Sequence, residues 1–459
     1  MHEKNLTLAR LLATASTCLA DVESGRSLTA VLAKVHPSER GAAQALTMYA
    51  MRNWGLAQTW RSMTMQKRSP SAPLNSLVAL GLLLMDIAMQ HEAGGNLVHS
   101  FQWPLSREAP RYAVHTVVDQ CVRAAKLLSK APFAPKLVNA VLRRFQRERE
   151  QFVESVKAND VARWGYPAWW VQLVRKTYPD SWQSILEASK LAPSLVIRVN
   201  RRRASVQQVL QAMQDHGVVA KHVSDDAVVL ESAGAVERLP GYEEGWWSVQ
   251  DLSAQRAAML LAPFDGARVL DACCAPGGKA AHLLELADID LTAVDQDARR
   301  LDMVRQNLDR LGLYSEGKVR LVHTDIRLSK AWEVGAPYDL ILADVPCTAS
   351  GVVRRHPDIA WLRRESDLAQ TVALQRAILD ALWPSLAPGG RLLLATCSVF
   401  AQEGELQAEG FLQRHPDAIH LPSPGQILPC AAGEGHCGHD GFFYALFEKR
   451  VVHERNMGS

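Results

Sequence analysis

The sequence predicts an α/β fold of the doubly wound kind over residues 246–450, preceded by a small α/β unit and a wholly helical front. Three observations carry that prediction. Short apolar runs that end in an acid recur, as in Val269-Leu270-Asp271, Leu291-Thr292-Ala293-Val294-Asp295 and Leu340-Ile341-Leu342-Ala343-Asp344. Between the runs lie stretches at helical spacing, such as Leu368, Val372, Leu374, Ile378, Leu379 and Leu382. Glycine and proline punctuate the run ends, at Pro276-Gly277-Gly278, Val345-Pro346 and Pro388-Gly389-Gly390. Strands that alternate with helices in this way build a parallel sheet covered on both faces.

A chain of 459 residues is too long for one core; at about 100 to 200 residues per domain it divides into three. The divisions fall at 1–150, all helical; 151–245, helical then mixed α/β; and 246–450, with a polar tail at 451–459. With 48% hydrophobic and 22% charged residues the composition is that of a globular protein. No window approaches the roughly 18 uncharged apolar residues of a membrane span, so a cytoplasmic protein without a membrane partner is expected, and a monomer. The eight cysteines are scattered at 18, 121, 273, 274, 347, 397, 430 and 437, which suits reduced thiols and not a disulfide framework. Charge is unevenly distributed. Residues 1–150 carry 19 Lys and Arg against 10 Asp and Glu, whereas residues 251–459 carry 21 against 27. A polyanion, most simply nucleic acid, is therefore expected to engage the front.

In chain order, the front shows apolar residues at helical spacing, for example Leu77, Val78, Leu80, Leu82, Leu83 and Leu84. Its last two helices carry Arg123, Lys126, Lys130, Lys136, Arg143, Arg144, Arg147 and Arg149. Such a run is either a solvated face or a nucleic-acid contact, and composition leaves the two about equal. Helical spacing returns from Asp160 to Lys190, Pro193 breaks it, and Ser194 to Asn200 alternates as a strand. Arg201-Arg202-Arg203 follow at the strand end, suited either to a phosphate backbone or to a solvated turn. After Trp246-Trp247 come the first catalytic strand (267–271), the glycine turn, a helix, the second strand (291–295), a third (319–322) and Asp325. The fourth strand ends at Asp344-Val345-Pro346-Cys347, a helix opens near Ser366-Asp367, and the strand Arg391 to Thr396 runs into Cys397-Ser398.

Strand, glycine turn, helix, strand and acid form a nucleoside-binding pattern. Gly277 and Gly278 let a ligand approach the backbone, and Asp295, 24 residues after Asp271, is placed to accept from ribose hydroxyls. Neither G-x-G-x-x-G nor Walker spacing is present, which favours a nucleoside with a carboxylate tail, such as S-adenosylmethionine, over a pyrophosphate. Cys347 and Cys397 both sit where strands stop and ligands bind. If their strands are neighbours, both thiols face one crevice. Zinc is a poor fit to two thiolates without paired ligands, so a thiolate nucleophile with a helper is the sharper reading. A cytosine ring becomes reactive at carbon 5 only after a nucleophile adds at carbon 6. Cys430, His436, Cys437 and His439 also cluster in a glycine-rich loop, but His-Cys-x-His is not a standard zinc spacing and no metal is expected there.

Four motifs, D-A-C-C-A-P-G-G-K (271–279), A-D-V-P-C-T-A-S-G (343–351), R-R-H-P-D-I-A-W (354–361) and A-T-C-S (395–398), closely resemble the signature of the S-adenosylmethionine-dependent RNA cytosine-5 methyltransferases of the Sun/Fmu type, bacterial 16S rRNA enzymes among them. Pro135 to Phe145 resembles that family's amino-terminal domain, and Asp440 to Ala445 its last strand. The resemblance implies a Rossmann-like catalytic domain, an all-helical NusB-like RNA-binding domain and a small RNA-binding α/β linker. It implies that Cys273, Cys274, Ala275, Pro276, Gly277, Gly278, Lys279, Asp295, Asp325 and Asp344 line the S-adenosylmethionine site. Cys397 would be the nucleophile, Cys347 the helper in release, and Asp344 the stabiliser of the activated ring. Arg143, Arg144, Arg201, Arg202 and Arg203 would contact RNA. The implied reaction is methylation of carbon 5 of a cytosine in 16S rRNA. The same chemistry on tRNA, or an idle methyltransferase domain on an RNA-binding assembly factor, are the alternatives.

Overall fold

The computed structural model describes residues 7–65, 71–94, 110–231, 234–432 and 438–451. It divides into two compact units, one made of Met1–Ala192 with Val353–Glu365, the other of Pro193–Val352 with Ser366–Ser459.

Among its described residues, every regular element of the first unit is a helix. Its centre is the helix Ala72–Glu92, packed against Leu8–Glu23, Trp54–Thr64, Val114–Leu128 and Phe133–Val156. Hydroxyl caps start several helices: the side chains of Thr7, Ser27 and Ser71 accept from Arg10, Ala30 and Leu74 N–H groups. The Ala72–Glu92 helix overturns the expectation that no stretch has the length and apolarity of a membrane span: its mean hydropathy is 1.7 over an 18-residue window. That window is 83% buried inside the unit, because those four helices cover it, so its apolarity answers to protein packing. Gly55 lets the Asp160–Trp164 helix approach closely, since a Cβ there would stand 2.1 Å from the Val161 carbonyl oxygen. The segment Val353–Glu365, which follows the Pro-Cys stretch in sequence, belongs to this unit. Its Asp358 carboxylate accepts from the Leu28 N–H at 2.8 Å, and its Arg354 is buried.

The second unit holds two sheets. Four short strands, β1 (Leu195–Val199), β2 (Val219–Ser224), β3 (Ala227–Glu231) and β4 (Trp247–Val249), form an antiparallel sheet in the order β2-β3-β1-β4. The helix Val206–Asp215 covers one face, placing Val209 and Met213 on Ile197, Val199, Val228 and Leu230. A capping box of Ser205 and Gln208 starts that helix. Trp247 was read from sequence as part of a lead-in; it is instead strand, paired with Val199 and wholly buried.

Seven strands, β5 (Arg268–Asp271), β6 (Asp290–Asp295), β7 (Val319–His323), β8 (Tyr338–Asp344), β9 (Leu386–Thr396), β10 (Ala418–Ile427) and β11 (Phe442–Lys449), form the large sheet in the order β10-β11-β9-β8-β5-β6-β7. β9, β8, β5, β6 and β7 run parallel, and β11 and β10 pair antiparallel. Successive residues feed opposite faces: Val269, Leu340, Leu342, Leu393 and Ala395 join one core, while Leu270, Ile341, Ala343, Leu392 and Leu394 join the other. From β5 the chain winds outward to β6 and β7, then returns to β8 and β9 on the other side. The order therefore reverses between β5 and β8, where such sheets open a crevice at the strands' carboxyl ends.

Two details differ from the sequence reading. Pro388-Gly389-Gly390 lies within β9, whose Leu386 already pairs with Tyr338. A register shift between Tyr338 and Leu340 takes up the extra residues, and Gly389 at φ +77° makes that bulge. β10 was not anticipated, because Pro422 and Pro424 argue against a strand; both are tolerated because β10 is the sheet's edge.

Candidate active site

β8 and β9 are neighbours, with Asp344 paired to Ala395, so the two cysteine stretches leave the sheet side by side. The Cys347 and Cys397 sulfurs lie 3.4 Å apart. Two stitches hold the stretches together: Val345 N–H donates to the Ala395 carbonyl (3.2 Å) and Gly351 N–H to the Cys397 carbonyl (2.9 Å); Gly441 N–H, just before β11, donates to the Gly351 carbonyl (2.9 Å). Only glycine fits at 351, since a Cβ would lie 2.1 Å from the Gly441 carbonyl oxygen. The Cys347 thiol is held well above the ordinary cysteine range, chiefly by its hydrogen bond to Cys397, then by burial and neighbouring negative charge.

Four strand ends converge around these sulfurs. Lys279, from the helix Gly278–Leu286 after β5, reaches the Asp344 carboxylate at 2.6 Å and stands 5.3 Å over the Phe442 ring. Burial works against its charge, but Asp344 first, then Cys397 and Asp271, together outweigh that cost and favour the ammonium. Tyr444, one turn of the pleat from Phe442, is buried and donates to the Ser253 carbonyl at 2.7 Å. Asp271 is wholly buried and its two carboxylate oxygens find no hydrogen-bond partner. Burial first, then the charges of Asp344 and Asp295, push its pKa up to about 8.

Cys273, Cys274, Lys279, Asp295 and Asp344, of the expected cofactor residues, fall around Asp271. Asp295 accepts from Ala275 N–H (3.2 Å) and Asp297 N–H (3.0 Å), and is 5% exposed. Cys273 is partly exposed and Cys274 buried, with burial as the first cause that raises both thiols. The Ala275 carbonyl accepts from Arg300 at 2.6 Å. Pro276 leads to Gly277, which caps the Gly278–Leu286 helix at φ +95° with no side-chain hydrogen bond, leaving first-turn N–H groups available. Asp325 lies at the end of β7 in a 2.5 Å ion pair with Arg327, which holds its carboxyl below the usual range. The set suits S-adenosylmethionine: a crowd of carboxylates, one of them orphaned, for a cationic sulfonium and ammonium, and a helix start for the carboxylate tail.

The arginines predicted to contact RNA have structural partners. Arg201 pairs with Asp226, Arg202 donates to the Glu285 carbonyl (3.3 Å) and Arg203 to the Leu311 carbonyl (3.3 Å). The last two carbonyls close helices, so these cations satisfy C-terminal groups while remaining exposed. Arg143 and Arg144 are exposed on the helical unit, Arg144 paired with Glu148. Arg149 is different: it is buried against Asp86 at 2.7 Å and forms no part of a basic face. His436 and Cys437 lie outside the described residues. Cys430 and His439 form a backbone bridge, and no metal-binding group occurs among the described residues.

Sequence reasoning missed the second layer. Arg198 on β1, wholly buried, donates to Glu285 (2.8 and 2.7 Å), to the Gly278 carbonyl (2.9 Å) and to Gln250, and thereby braces the start of the cofactor-loop helix. Glu403 is wholly buried against the residues that follow each cysteine. In sequence the one is an arginine in an alternating strand and the other an acid in a polar loop, and neither carries a local signal.

A family model described as 16S rRNA methyltransferase RsmB/F matches residues 258–448, and one described as the RsmF/B-like ferredoxin-like domain matches residues 166–237. The ribosomal RNA small subunit methyltransferase B of Vibrio cholerae is 42% identical over 348 residues, covering 74% of this chain and 78% of the relative. The crystal structure of PH0851 superposes with a TM-score of 0.74 at 22% identity, covering 98% of this chain and all of that one. That of NSun6 from Pyrococcus horikoshii with SFG gives 0.54 at 20% identity over 62% and 99%. The chain belongs to the RsmB/F family of 16S rRNA methyltransferases, enzymes that use S-adenosylmethionine.

Proposed function

We propose that this protein methylates carbon 5 of a cytosine in 16S rRNA through a covalent bond between Cys397 and carbon 6. The observation that carries the reading is the pair of sulfurs 3.4 Å apart at the ends of adjacent parallel strands, beside Asp344. Two thiols so placed suit a nucleophile and a group that acts on that nucleophile.

The hydrogen bond between the sulfurs and the burial of Cys347 keep Cys347 protonated. Cys397 lies beside the Lys279 ammonium and attacks as its thiolate, the nucleophilic form of a cysteine. That thiolate adds to carbon 6, and the ring's electron density moves toward carbon 5 and nitrogen 3. The Asp344 carboxylate, held in place by Lys279, would accept from the exocyclic amine and orient the ring, and the Lys279 ammonium beside it would stabilise the negative charge that develops. S-adenosylmethionine, when bound, supplies the electrophilic methyl group; Cys273 to Lys279, Asp295, Asp325 and Asp344 are the residues that would hold it. Loss of the carbon 5 proton to solvent water then returns an electron pair to the ring, the carbon–sulfur bond breaks, and the electrons leave with Cys397. The Cys347 S–H, at hydrogen-bond distance from that sulfur, stabilises the departing thiolate. A target base inside folded RNA is first unstacked, at about a few kcal/mol.

A denaturing gel for RNA-linked protein tests this with wild type, Cys347→Ala and Cys397→Ala, each given 16S rRNA and S-adenosylmethionine. Cys347→Ala is expected to accumulate the adduct, and Cys397→Ala to give neither adduct nor product. An adduct that depends on Cys347 would exchange the two roles, and product from Cys397→Ala would refute the covalent route.

A further inference from the structure

Each cysteine is followed by a hydroxyl residue, Thr348 and Ser398, and both are about 99% buried. One side chain receives both. The Glu403 carboxylate, wholly buried, accepts from the Thr348 N–H at 2.8 Å and its hydroxyl at 2.5 Å, and from the Ser398 hydroxyl at 2.6 Å. The contact to Thr348 spans 55 residues and joins the loop after β8 to the loop after β9.

The hydroxyl directions follow from the donors. Ser398 Oγ accepts from Phe400 N–H (3.0 Å) and its own proton goes to Glu403, so Ser350, which accepts from Val399 N–H (2.9 Å), donates to Ser398 (2.8 Å). The result is a directed chain, Val399 to Ser350 to Ser398 to Glu403, that ends on the carboxylate. A second brace lies beneath Pro346, whose carbonyl accepts from the buried Gln375 at 2.9 Å. A buried acid is costly unless its acceptor geometry is used, and here three donors from the two cysteine loops use it.

We propose that Glu403 is the positioning residue of the cysteine pair: one carboxylate holds the residue after each thiol and so fixes the distance at which Cys347 acts on Cys397. The inference rests on the covalent reading above. Glu403 is wholly buried behind the two loops, and its effect passes through them. Its negative charge adds to the forces that keep Cys347 a thiol, the form that stabilises a departing sulfur. Cys397 and Glu403 are the titratable groups that act on Cys347, and Lys279, Asp344 and Tyr444 stand on the Cys397 side.

Two variants separate geometry from charge. Glu403→Ala removes both, whereas Glu403→Gln keeps an acceptor for the Thr348 N–H and lets the hydroxyls turn to accept from the amide. Single-turnover release of RNA from the adduct is expected to slow about 100-fold in Glu403→Ala, the scale of an ångström misplacement, and to recover to within about tenfold in Glu403→Gln. A second readout needs neither RNA nor turnover. In a Cys397→Ser background, alkylation of Cys347 by iodoacetamide is followed by mass spectrometry across pH, and Glu403→Gln is expected to move its midpoint to lower pH. Wild-type release in Glu403→Ala, or an unmoved alkylation midpoint in a folded Glu403→Gln, would overturn the proposal. If the Cys347→Ala parent makes no adduct at all, the covalent reading fails, and the alkylation midpoint alone still decides whether Glu403 acts on Cys347.

Discussion

Asp271 ends β5 with both carboxylate oxygens buried and unmatched, and its pKa is raised to about 8. In the unfolded chain the same group titrates near the ordinary value of 3.8. Between those two values the folded state holds a proton that the unfolded state has lost. The stability contributed by that proton is therefore complete below pH 4 and falls as pH rises toward 8, by at most about 1.4 kcal/mol per pH unit. Asp271→Asn removes the titration. The melting temperature of the variant, compared with that of the wild type, is expected to gain steadily from pH 5 to pH 8; a constant difference would show that the carboxyl is ionised throughout. Cation binding beside Asp271 works in the same direction: a sulfonium or ammonium favours the carboxylate and drives the proton off. Wild-type affinity for S-adenosylmethionine is accordingly expected to rise between pH 6 and pH 8, and calorimetry on Asp271→Asn should show a flatter dependence.

At the scale of the element, β1 of the small sheet controls the start of the helix Gly278–Leu286 in the large-sheet domain. Arg198 spans the two, and its partner Glu285 is 6% exposed, with burial first among the causes that raise its carboxyl. Arg198→Met strands that acid in the interior, at an expected cost of about 3 to 5 kcal/mol in chemical denaturation. Arg198→Met with Glu285→Leu removes both charges and is expected to recover most of that loss. Affinity for S-adenosylmethionine should stay weakened in both variants, because the Gly278 carbonyl has lost its donor either way. Full recovery of affinity in the double variant would reduce Arg198 to a stability role. This contact spans 87 residues, which explains why the sequence did not disclose it. What could be read locally was read: strand ends marked by acids, the glycine turn, the cysteines beside Pro346 and Thr396. Each is a property of a few adjacent residues. The braces at Arg198, Gln375 and Glu403 are side chains whose partners lie on other elements, and pattern alone gives a buried acid and a solvated one the same appearance. β10 was hidden for a related reason, since its two prolines are tolerated only at a sheet edge, and edge position is a fact of topology.

For the whole molecule the deciding quantity is where positive charge remains free to meet a polyanion. The acidic excess of residues 251–459 gives the catalytic half little nonspecific attraction for RNA, and Arg202 and Arg203 donate to helix-end carbonyls. In the helical unit, by contrast, Lys136, Arg143 and Arg147 follow one another at spacings of seven and four along Phe133–Val156, all exposed, with Arg144 beside them. Those spacings place the three on one face of the helix. A phosphate backbone laid along that face would release counterions, so affinity for 16S rRNA is expected to fall linearly in the logarithm of salt concentration. Arg143→Gln with Arg144→Gln removes two contacts, and the slope should flatten by about 1.4 to 1.8, with weaker binding at low salt. Affinity for S-adenosylmethionine should be unchanged, since the cofactor residues belong to the other unit. Filter binding from 50 to 300 mM salt distinguishes the outcomes. An unchanged slope would remove these two arginines from the RNA contact and return them to the solvated face that composition alone allowed, leaving the Arg201 to Arg203 triplet as the next cations to neutralise.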